Sequence, residues 1–242
     1  MRSSDRLSTT YASLFAAASF AFIVSVAAAQ STMAPVFVTS HIVEGVVHNR
    51  LLPIGGAKAS RTSGWTMERR FTKYRGGPAV IQVTTFGAPG HVTIDSLLFE
   101  RTTLLPIWER SHGGMTRIVS FAGTRVTGRV TQKDSADRAI NLTTRTPSFS
   151  GLIDDVIVQS VPLVQGYEVV LPCVGGDAIE MDTIRVRRRE RVPTSNDARD
   201  AWAVDLSYPS GSETLWIDPT TRAILRHVYT KKDHSQLEVV TN

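Results

Sequence analysis

Cysteine is almost absent from this chain of 242 residues, which contains only Cys173. A single cysteine cannot form a disulfide within the chain, so a packed core must stabilise the folded state. Hydrophobic residues make up 42% of the sequence, which suffices for such a core at this length. Cys173 lies between Pro172 and Val174 in an apolar segment. We therefore expect a small buried side chain there rather than a catalytic nucleophile.

A strong excess of one charge is also lacking. The sequence has 27 lysine and arginine residues against 22 aspartate and glutamate residues. This near balance does not favour nucleic acid as a partner. The one local exception is an arginine-rich stretch, with Arg185, Arg187, Arg188, Arg189 and Arg191. Arginine suits phosphate and carboxylate groups, so Arg185, Arg187 and Arg189 are candidate anion-binding residues, although a solvated strand face is the simpler explanation.

Motifs for catalysis, metal binding or a cofactor are missing as well. No G-x-S-x-G pentapeptide of the serine-hydrolase type occurs. The histidines stand singly, without the spacing that is typical of zinc sites, and we expect them in turns or facing solvent. They are His41, His48, His91, His112, His227 and His234. The sequence predicts neither a metal site nor a cofactor, and a hydrolase remains only a second alternative.

The one long uncharged hydrophobic run lies near the start of the chain. Residues 12–26 follow Arg2 and Arg6, and three alanines at 27–29 come next. This order is typical of a secretory signal peptide. Roughly 15 residues of helix reach about 22 Å, less than the roughly 30 Å of a bilayer core, although an uncleaved anchor is the alternative. We expect residues 1–29 to be removed, which gives a periplasmic or secreted protein that begins near Gln30 without a lipid-attachment cysteine.

The rest of the sequence alternates apolar and polar residues between turn signals, the pattern of half-buried β-strands. In WTMERRFTKY, Trp65, Met67 and Phe71 share one face, and Arg69 is the misfit. Pro106 removes a ladder donor, so we expect an edge or a bend there. The predicted strands are WTMERRFTKY, AVIQVTTF, HVTIDSLLFERTT, IWERS, MTRIVSFAG, TRVTGRVTQKD, RAINLTT, GYEVVLPCV, DTIRVRRRERV, AWAVDLSY, ETLWIDP and AILRHVYTKKD, with LEVV as a last edge strand.

One segment, from Ser148 to Ser160, breaks this rhythm. It offers a serine cap, the acidic pair Asp154 and Asp155, and apolar residues at helical spacing. We predict a short amphipathic helix, with a strand as the alternative. The acidic pair is better explained by its place in the first helical turn, where negative charge is favourable, than by catalysis. Further along, the turn-rich residues 218–222 (DPTTR) favour a hairpin.

Three stretches carry a resemblance to a known group of proteins. They are residues 95–110 (DSLLFERTTLLPIWER), 147–174 (PSFSGLIDDVIVQSVPLVQGYEVVLPCV) and 213–229 (ETLWIDPTTRAILRHVY). Together they resemble a family of uncharacterised exported bacterial β-sheet proteins, itself similar to the periplasmic lipoprotein-localisation factors and their outer-membrane receptors. In that wider group a strongly curved antiparallel sheet forms an open half-barrel, with helices across its mouth and an apolar groove for acyl chains. The resemblance implies a similar sheet and a bacterial source.

The sequence thus predicts a mainly β protein with one β-rich domain over residues 30–242. We expect a strongly curved antiparallel sheet, or open half-barrel, with one short helix packed on it. The resemblance implies non-enzymatic binding of an apolar or amphiphilic, lipid-like ligand; a structural or interaction role in the cell envelope is the first alternative. The candidate ligand-contacting residues are the tryptophans of the strand-like segments, which could equally fill the core. They are Trp65, Trp108, Trp202 and Trp216.

Overall fold

A computed structural model describes residues 35–54, 64–88, 91–194 and 197–241. The predicted signal peptide lies outside these residues. Strands dominate the described chain, as the alternating pattern predicts. They are β1 (Gly45–Pro53), β2 (Gly64–Tyr74), β3 (Gly77–Ala88), β4 (His91–Glu100), β5 (Pro106–His112), β6 (Met115–Ala122), β7 (Arg125–Gln132), β8 (Arg138–Thr143), β9 (Phe149–Ser150), β10 (Glu168–Gly175), β11 (Ala178–Pro193), β12 (Ala198–Tyr208), β13 (Gly211–Ile217), β14 (Ile224–Lys231) and β15 (Gln236–Thr241).

All of these strands belong to one curved, open sheet, so the predicted fold class is confirmed. Its order is β8, β7, β6, β5, β4, β3, β2, β1, β15, β14, β13, β12, β11, β10, β9. Only the pair of β9 with β10 is parallel, and the other pairs are antiparallel. The sheet therefore consists of two meanders of consecutive strands, β1–β8 and β10–β15, joined by the pairing of β1 with β15, and β9 extends the second one in parallel.

That pairing corrects one sequence prediction. The LEVV segment was expected to form an edge strand, but β15 hydrogen-bonds to β14 on one side and to β1 on the other. The sheet ends instead at β8 and β9. Alternation along a strand shows which residues share a face and carries no information on which strand lies alongside, so the central place of β15 was not predictable.

Irregular register bends the sheet. Leu98 pairs with Trp108 and Phe99 pairs with Pro106, so the ladder shifts by one residue where proline lacks a donor. The bend expected at Pro106 is confirmed. A second shift lies between Val186 and Arg189 in β11. Such bulges increase local twist and curvature, which a long open sheet needs if it is to cover its own core.

Curvature brings side chains from the two halves of the sheet into contact. The Ser150 hydroxyl before the helix donates to Glu109 of β5 at 2.7 Å. Arg138 of β8 forms an ion pair with Asp177 beyond β10. Val174 of β10 packs in a small apolar cluster with residues of β6, β7 and β8. The edge strands β8 and β9 are not hydrogen-bonded to each other, so the sheet stays open.

The predicted helix is confirmed, and it is shorter than the segment that predicts it. A 3₁₀ turn at Gly151–Ile153 leads into α1 (Asp154–Ser160). The Ser150 side chain caps the turn by accepting a hydrogen bond from the Leu152 amide at 3.2 Å. Among the described residues, no helix has the length and apolar character needed to cross a membrane.

The main core lies between α1 and the sheet. The helix contributes its apolar face, with Val156, Ile157 and Val158 all buried. Facing them are buried residues of the sheet, among them Val80, Leu97, Phe99, Leu171, Ile184, Val186, Val204, Leu206, Leu215 and Ile217. Burial of one such side chain stabilises the fold by about 1.5–3 kcal/mol relative to exposure, which fixes the helix on this face of the sheet.

Close packing of β7 against β6 yields a test of the register. A Cβ added at Gly128 would lie 2.2 Å from the Ile118 carbonyl oxygen, whereas one at Gly77 would meet its nearest atom at an ordinary 3.6 Å. Gly128→Ala is expected to lower the free energy of unfolding by about 1–3 kcal/mol, and the matched Gly77→Ala by less than about 0.5 kcal/mol. Urea denaturation measures both, and equal effects would contradict the β6–β7 register.

Candidate functional site

Arg69, the residue that violates the alternation of β2, contacts the start of α1. Its Nη2 lies 2.7 Å from the Asp155 carboxylate, and its Nε donates to the Gln82 side-chain oxygen at 2.7 Å. Gln82 in turn donates to the Leu152 carbonyl at 2.7 Å. The side chains of Arg69 and Asp155 are only 14% and 25% exposed. A charge on the apolar face of β2 is thus explained by a partner on the helix.

The DPTTR segment forms the hairpin that the sequence predicts. The Asp218 carboxylate accepts hydrogen bonds from the amides of Thr220 and Thr221, each at 2.9 Å. These bonds hold the pKa of Asp218 below its usual value, aided by Arg199. The turn ends with Arg222 at φ +63°, a left-handed conformation. This loop therefore fixes the position from which the Arg222 side chain extends.

Arg222 contacts the other end of α1. Its Nη1 donates to the carbonyls of Gln159 and Val161 at 3.0 and 2.6 Å. The Gln159 side chain returns a bond of 2.8 Å to the Arg222 carbonyl. A cation is favourable where the last helical carbonyls lack partners. One arginine thus holds each end of the helix, Arg69 from β2 and Arg222 from the loop between β13 and β14.

Between these two arginines lies a pocket of about 420 Å³. Helix α1, residues 41–43, the loop before β14 and strands β1, β2, β14 and β15 surround it. Its apolar lining includes Ile42, Val47, Met67, Val156, Ile224 and Val239, together with the Trp65 ring. Polar groups converge on the same space from His41, Asn49, Arg69, Asp155, Gln159, Arg222 and His227. The combination of a mostly apolar wall with a few polar groups is typical of small-molecule sites.

The charges that face the pocket do not cancel. Asp155 balances Arg69, whereas in the described part of the chain no carboxylate forms an ion pair with Arg222. Burial lowers the pKa of Arg222, but a guanidinium remains protonated in proteins. The pocket therefore carries one unbalanced positive charge, next to the end of the helix.

The positive charge of Arg222 affects the pKa of the neighbouring His41. Burial of its ring, followed by the proximity of the Arg222 cation, lowers the pKa of His41 from 6.5 to about 4. The Arg69 guanidinium acts in the same direction, and the Asp155 carboxylate opposes it. His41 is therefore neutral at neutral pH, which leaves the charge of Arg222 as the dominant one.

His227 joins the pocket to a hydrogen-bonded network in the sheet. Its Nε2 lies 2.5 Å from one carboxylate oxygen of Glu213, whose other oxygen accepts a bond of 2.7 Å from the Tyr208 hydroxyl. The His227 side chain is only 14% exposed. The prediction that the histidines lie in turns or face solvent is wrong for this residue, because strand alternation turns it inward.

The structure separates the four candidate tryptophans. Trp65 lines the pocket, with its ring centroid 6.4 Å from that of Phe86. The other three do not line it. Trp108 lies beneath the Arg110 guanidinium at 5.2 Å, Trp202 packs against the main core, and Trp216 donates to Glu190 at 2.6 Å.

Of the candidate anion-binding arginines, Arg185 and Arg187 lie on the outer face of β11, whereas Arg189 pairs with Trp202 and lies on the face that Trp202 shares with the main core. Arg185 pairs with Glu168 at 2.6 Å, and Arg187 pairs with Asp205 at 3.1 Å. Arg189 lies 5.2 Å from the Trp202 ring centroid. Two of these guanidiniums are thus engaged with carboxylates. The bulge between Val186 and Arg189 adds one residue to β11, so Arg187 and Arg189 lie on opposite faces, whereas strict alternation would place them on the same face.

Cys173 is buried in the main core, as its sequence context predicts. The burial of its thiol, with the nearby carboxylates of Asp154 and Asp182, raises the pKa of Cys173, so the side chain is a protonated thiol rather than a nucleophile. The acidic pair occupies the first turn of α1, also as predicted. Its two members diverge: Asp155 contacts Arg69, and Asp154 faces Cys173.

One family model, described as protein of unknown function (DUF3108), matches residues 52–233. No curated protein and no solved structure matches the chain. The matched range contains α1 and both arginines that hold it, whereas the pocket residues His41, Ile42, Val43, Val47 and Asn49 precede it.

Two neighbouring arginines of β2 offer a matched test of the helix contact. Arg69→Met leaves Asp155 without its partner in a largely buried setting and is expected to lower the free energy of unfolding by about 2–3 kcal/mol. Arg70 points to the other face, where its side chain is 70% exposed. Arg70→Met should cost less than about 0.5 kcal/mol. Urea denaturation measures both, and similar losses would contradict the role of Arg69.

His41 makes stability depend on pH with a defined sign. Its pKa is lower in the folded chain than in the unfolded chain, so the unfolded chain binds more protons between pH 6.5 and about 4. The contribution of His41 to stability is therefore complete above pH 6.5 and falls as the pH drops towards 4. His41→Gln should lose less stability than wild type between pH 7 and pH 4.5 in urea denaturation. Parallel losses in the two proteins would refute this assignment.

Proposed function

We propose, on physical grounds, that this chain is a non-enzymatic binding protein for a small amphiphilic ligand with one negative charge. The chain belongs to the DUF3108 family, whose function is unknown. The observation that carries this proposal is the pocket between α1 and the sheet, in which an apolar wall adjoins an unbalanced arginine. Each half of that description corresponds to one half of an amphiphile.

The apolar half of the pocket accounts for affinity. Its volume of about 420 Å³ lies within the roughly 300–1,000 Å³ that is usual for small-molecule sites. Val47, Met67, Val156, Ile224 and Val239 come from separate elements, and Trp65 adds a large flat surface. Each methylene group that leaves water on such a surface contributes about 0.8 kcal/mol. An acyl chain of moderate length would therefore bind here without any specific hydrogen bond.

The charged half accounts for selectivity. Arg222 uses Nη1 to contact the helix, and within the described residues its other guanidinium nitrogens make no hydrogen bond. A carboxylate or phosphate is the natural partner for such a group. His41 adds a nearby ring that is neutral at neutral pH, and an anion would raise its pKa.

Two features of the sequence support the same proposal. The resemblance to the lipoprotein-localisation factors, which use a curved sheet and helices to enclose acyl chains, favours an amphiphile over a purely polar ligand. The signal-peptide pattern of residues 1–29 favours action outside the cytoplasm, in the periplasm or after secretion. We therefore place the proposed binding activity at the cell envelope. The chain differs from those factors in one respect, since one short α-helix covers the sheet among the residues that the structure describes.

Calorimetric titration with decanoate and with decanol tests the proposal. The purified chain should bind decanoate at least 10-fold more tightly than decanol, a difference of about 1.4 kcal/mol that reflects the charge of Arg222. Val47→Trp should abolish binding because its ring fills the pocket. Val46 is 53% exposed, so Val46→Trp is the matched control and should bind like wild type.

Thermal unfolding of both tryptophan variants distinguishes a filled pocket from a damaged fold. Two results would overturn the proposal: no binding of decanoate to the wild-type chain, or equal binding by a folded Val47→Trp variant. Either would leave the alternative of a structural or interaction protein of the envelope. Native mass spectrometry of protein purified from its own envelope then identifies the ligand that the chain carries.

A further inference from the structure

A second, smaller pocket of about 160 Å³ lies at the start of α1. Three side chains meet beside it: Asp154 from the helix, Cys173 from β10 and Asp182 from β11. One carboxylate oxygen of each aspartate and the Cys173 sulfur all lie within 4.8 Å of one another. Glu180, two residues before Asp182 on β11, lines the same pocket.

These acids lack the partners that buried charges normally have. Asp182 is only 4% exposed and Cys173 only 3% exposed. In the described chain, no lysine, arginine or histidine forms an ion pair with Asp154, Asp182 or Glu180. Among the described residues, the one donor that reaches the Asp182 carboxylate is the Cys173 thiol, itself a member of the cluster. A buried carboxylate without an outside partner is costly, and it points into this pocket.

We propose that Asp154, Cys173 and Asp182 bind a divalent cation of borderline softness, with Zn²⁺ as the best fit. Zinc accepts thiolate sulfur at about 2.3 Å and carboxylate oxygen at about 2.0–2.2 Å, which places its ligand atoms roughly 3–4 Å apart. The observed separations need only a small contraction to reach this range. Hard cations such as Mg²⁺ and Ca²⁺ prefer all-oxygen sites, so the thiol selects against them.

The cation would balance the charge of the cluster. When the metal binds, the Cys173 thiol and any protonated carboxyl release their protons to solvent and become ligands. Three protein ligands leave a fourth position that faces the pocket, within the space that Glu180 also lines. Water or the Glu180 carboxylate completes a tetrahedral set.

The inference is independent of the amphiphile-binding proposal, although the two sites are adjacent. Asp154 and Asp155 are consecutive residues of α1 and point to different pockets. A metal at Asp154 would therefore fix the same helical turn that Asp155 and Arg69 hold. Loss of either site leaves the residues of the other in place, so their tests do not depend on each other.

Titration of the chelator-treated full chain with Co²⁺ tests the site, because cobalt replaces zinc and reports sulfur ligation by a charge-transfer band in the near ultraviolet. We expect one equivalent of cobalt, this band, and a higher midpoint of thermal unfolding when Zn²⁺ is added. Cys173→Ser should remove the band, and Asp182→Asn should weaken metal binding by about 10-fold or more. Asp205→Asn on the neighbouring strand β12 is the control and should bind like wild type.

Two outcomes would overturn the proposal: no cobalt uptake by the wild-type chain, or a band that persists in Cys173→Ser. Absence of uptake would mean that the carboxyl groups are neutralised by protons alone. Since Cys173→Ser is nearly isosteric, its folding, followed by circular dichroism, keeps the test valid even if Asp182→Asn is unstable.

Discussion

The ion pair between Arg69 and Asp155 is the contact on which the arrangement of this molecule depends. Helix α1 has only seven residues, and helices shorter than about 12–15 residues are marginal in water without tertiary support. Its apolar face supplies part of that support, but apolar burial is non-directional. The arginines at its two ends, Arg69 and Arg222, set its position along the sheet. The space left between them is the candidate ligand pocket, so the same charges fix the helix and define the chemistry of the site.

The contact between Arg69 and Asp155 also links the two meanders of the sheet. Arg69 lies on β2, in the first meander, whereas α1 follows β9 and Arg222 follows β13, both in the second. The helix therefore bridges the seam where β1 pairs with β15, and the pocket lies under that bridge. On the side of α1 that faces β10 and β11, the buried acids around Cys173 form a separate site. One short helix thus separates two pockets of different character.

Much of the fold could be predicted from the sequence because a strand in a one-sided sheet must alternate. The helix was predictable because its apolar residues recur at helical spacing instead of alternating with polar ones. Arg69 was visible as a misfit, although its partner was not, because Asp155 is distant in sequence. Asp182 could have been recognised, since it shares the buried face of Ile184 and Val186. The position of Arg222 could not, because it depends on where a loop meets a helix from elsewhere in the chain.

The seam between β1 and β15 also determines when this chain can finish folding. Asn49 pairs with Thr241, and their side chains share a hydrogen bond of 2.8 Å. The hairpins within each meander are local and can form early, but the strand ladder that joins the two halves forms between β1 and β15, near opposite ends of the chain. Contacts of such long sequence separation form slowly, because closure of the intervening loop costs entropy first. A growing chain therefore stays incompletely folded until residues 236–241 emerge, a state in which a polypeptide can still be threaded through a narrow channel.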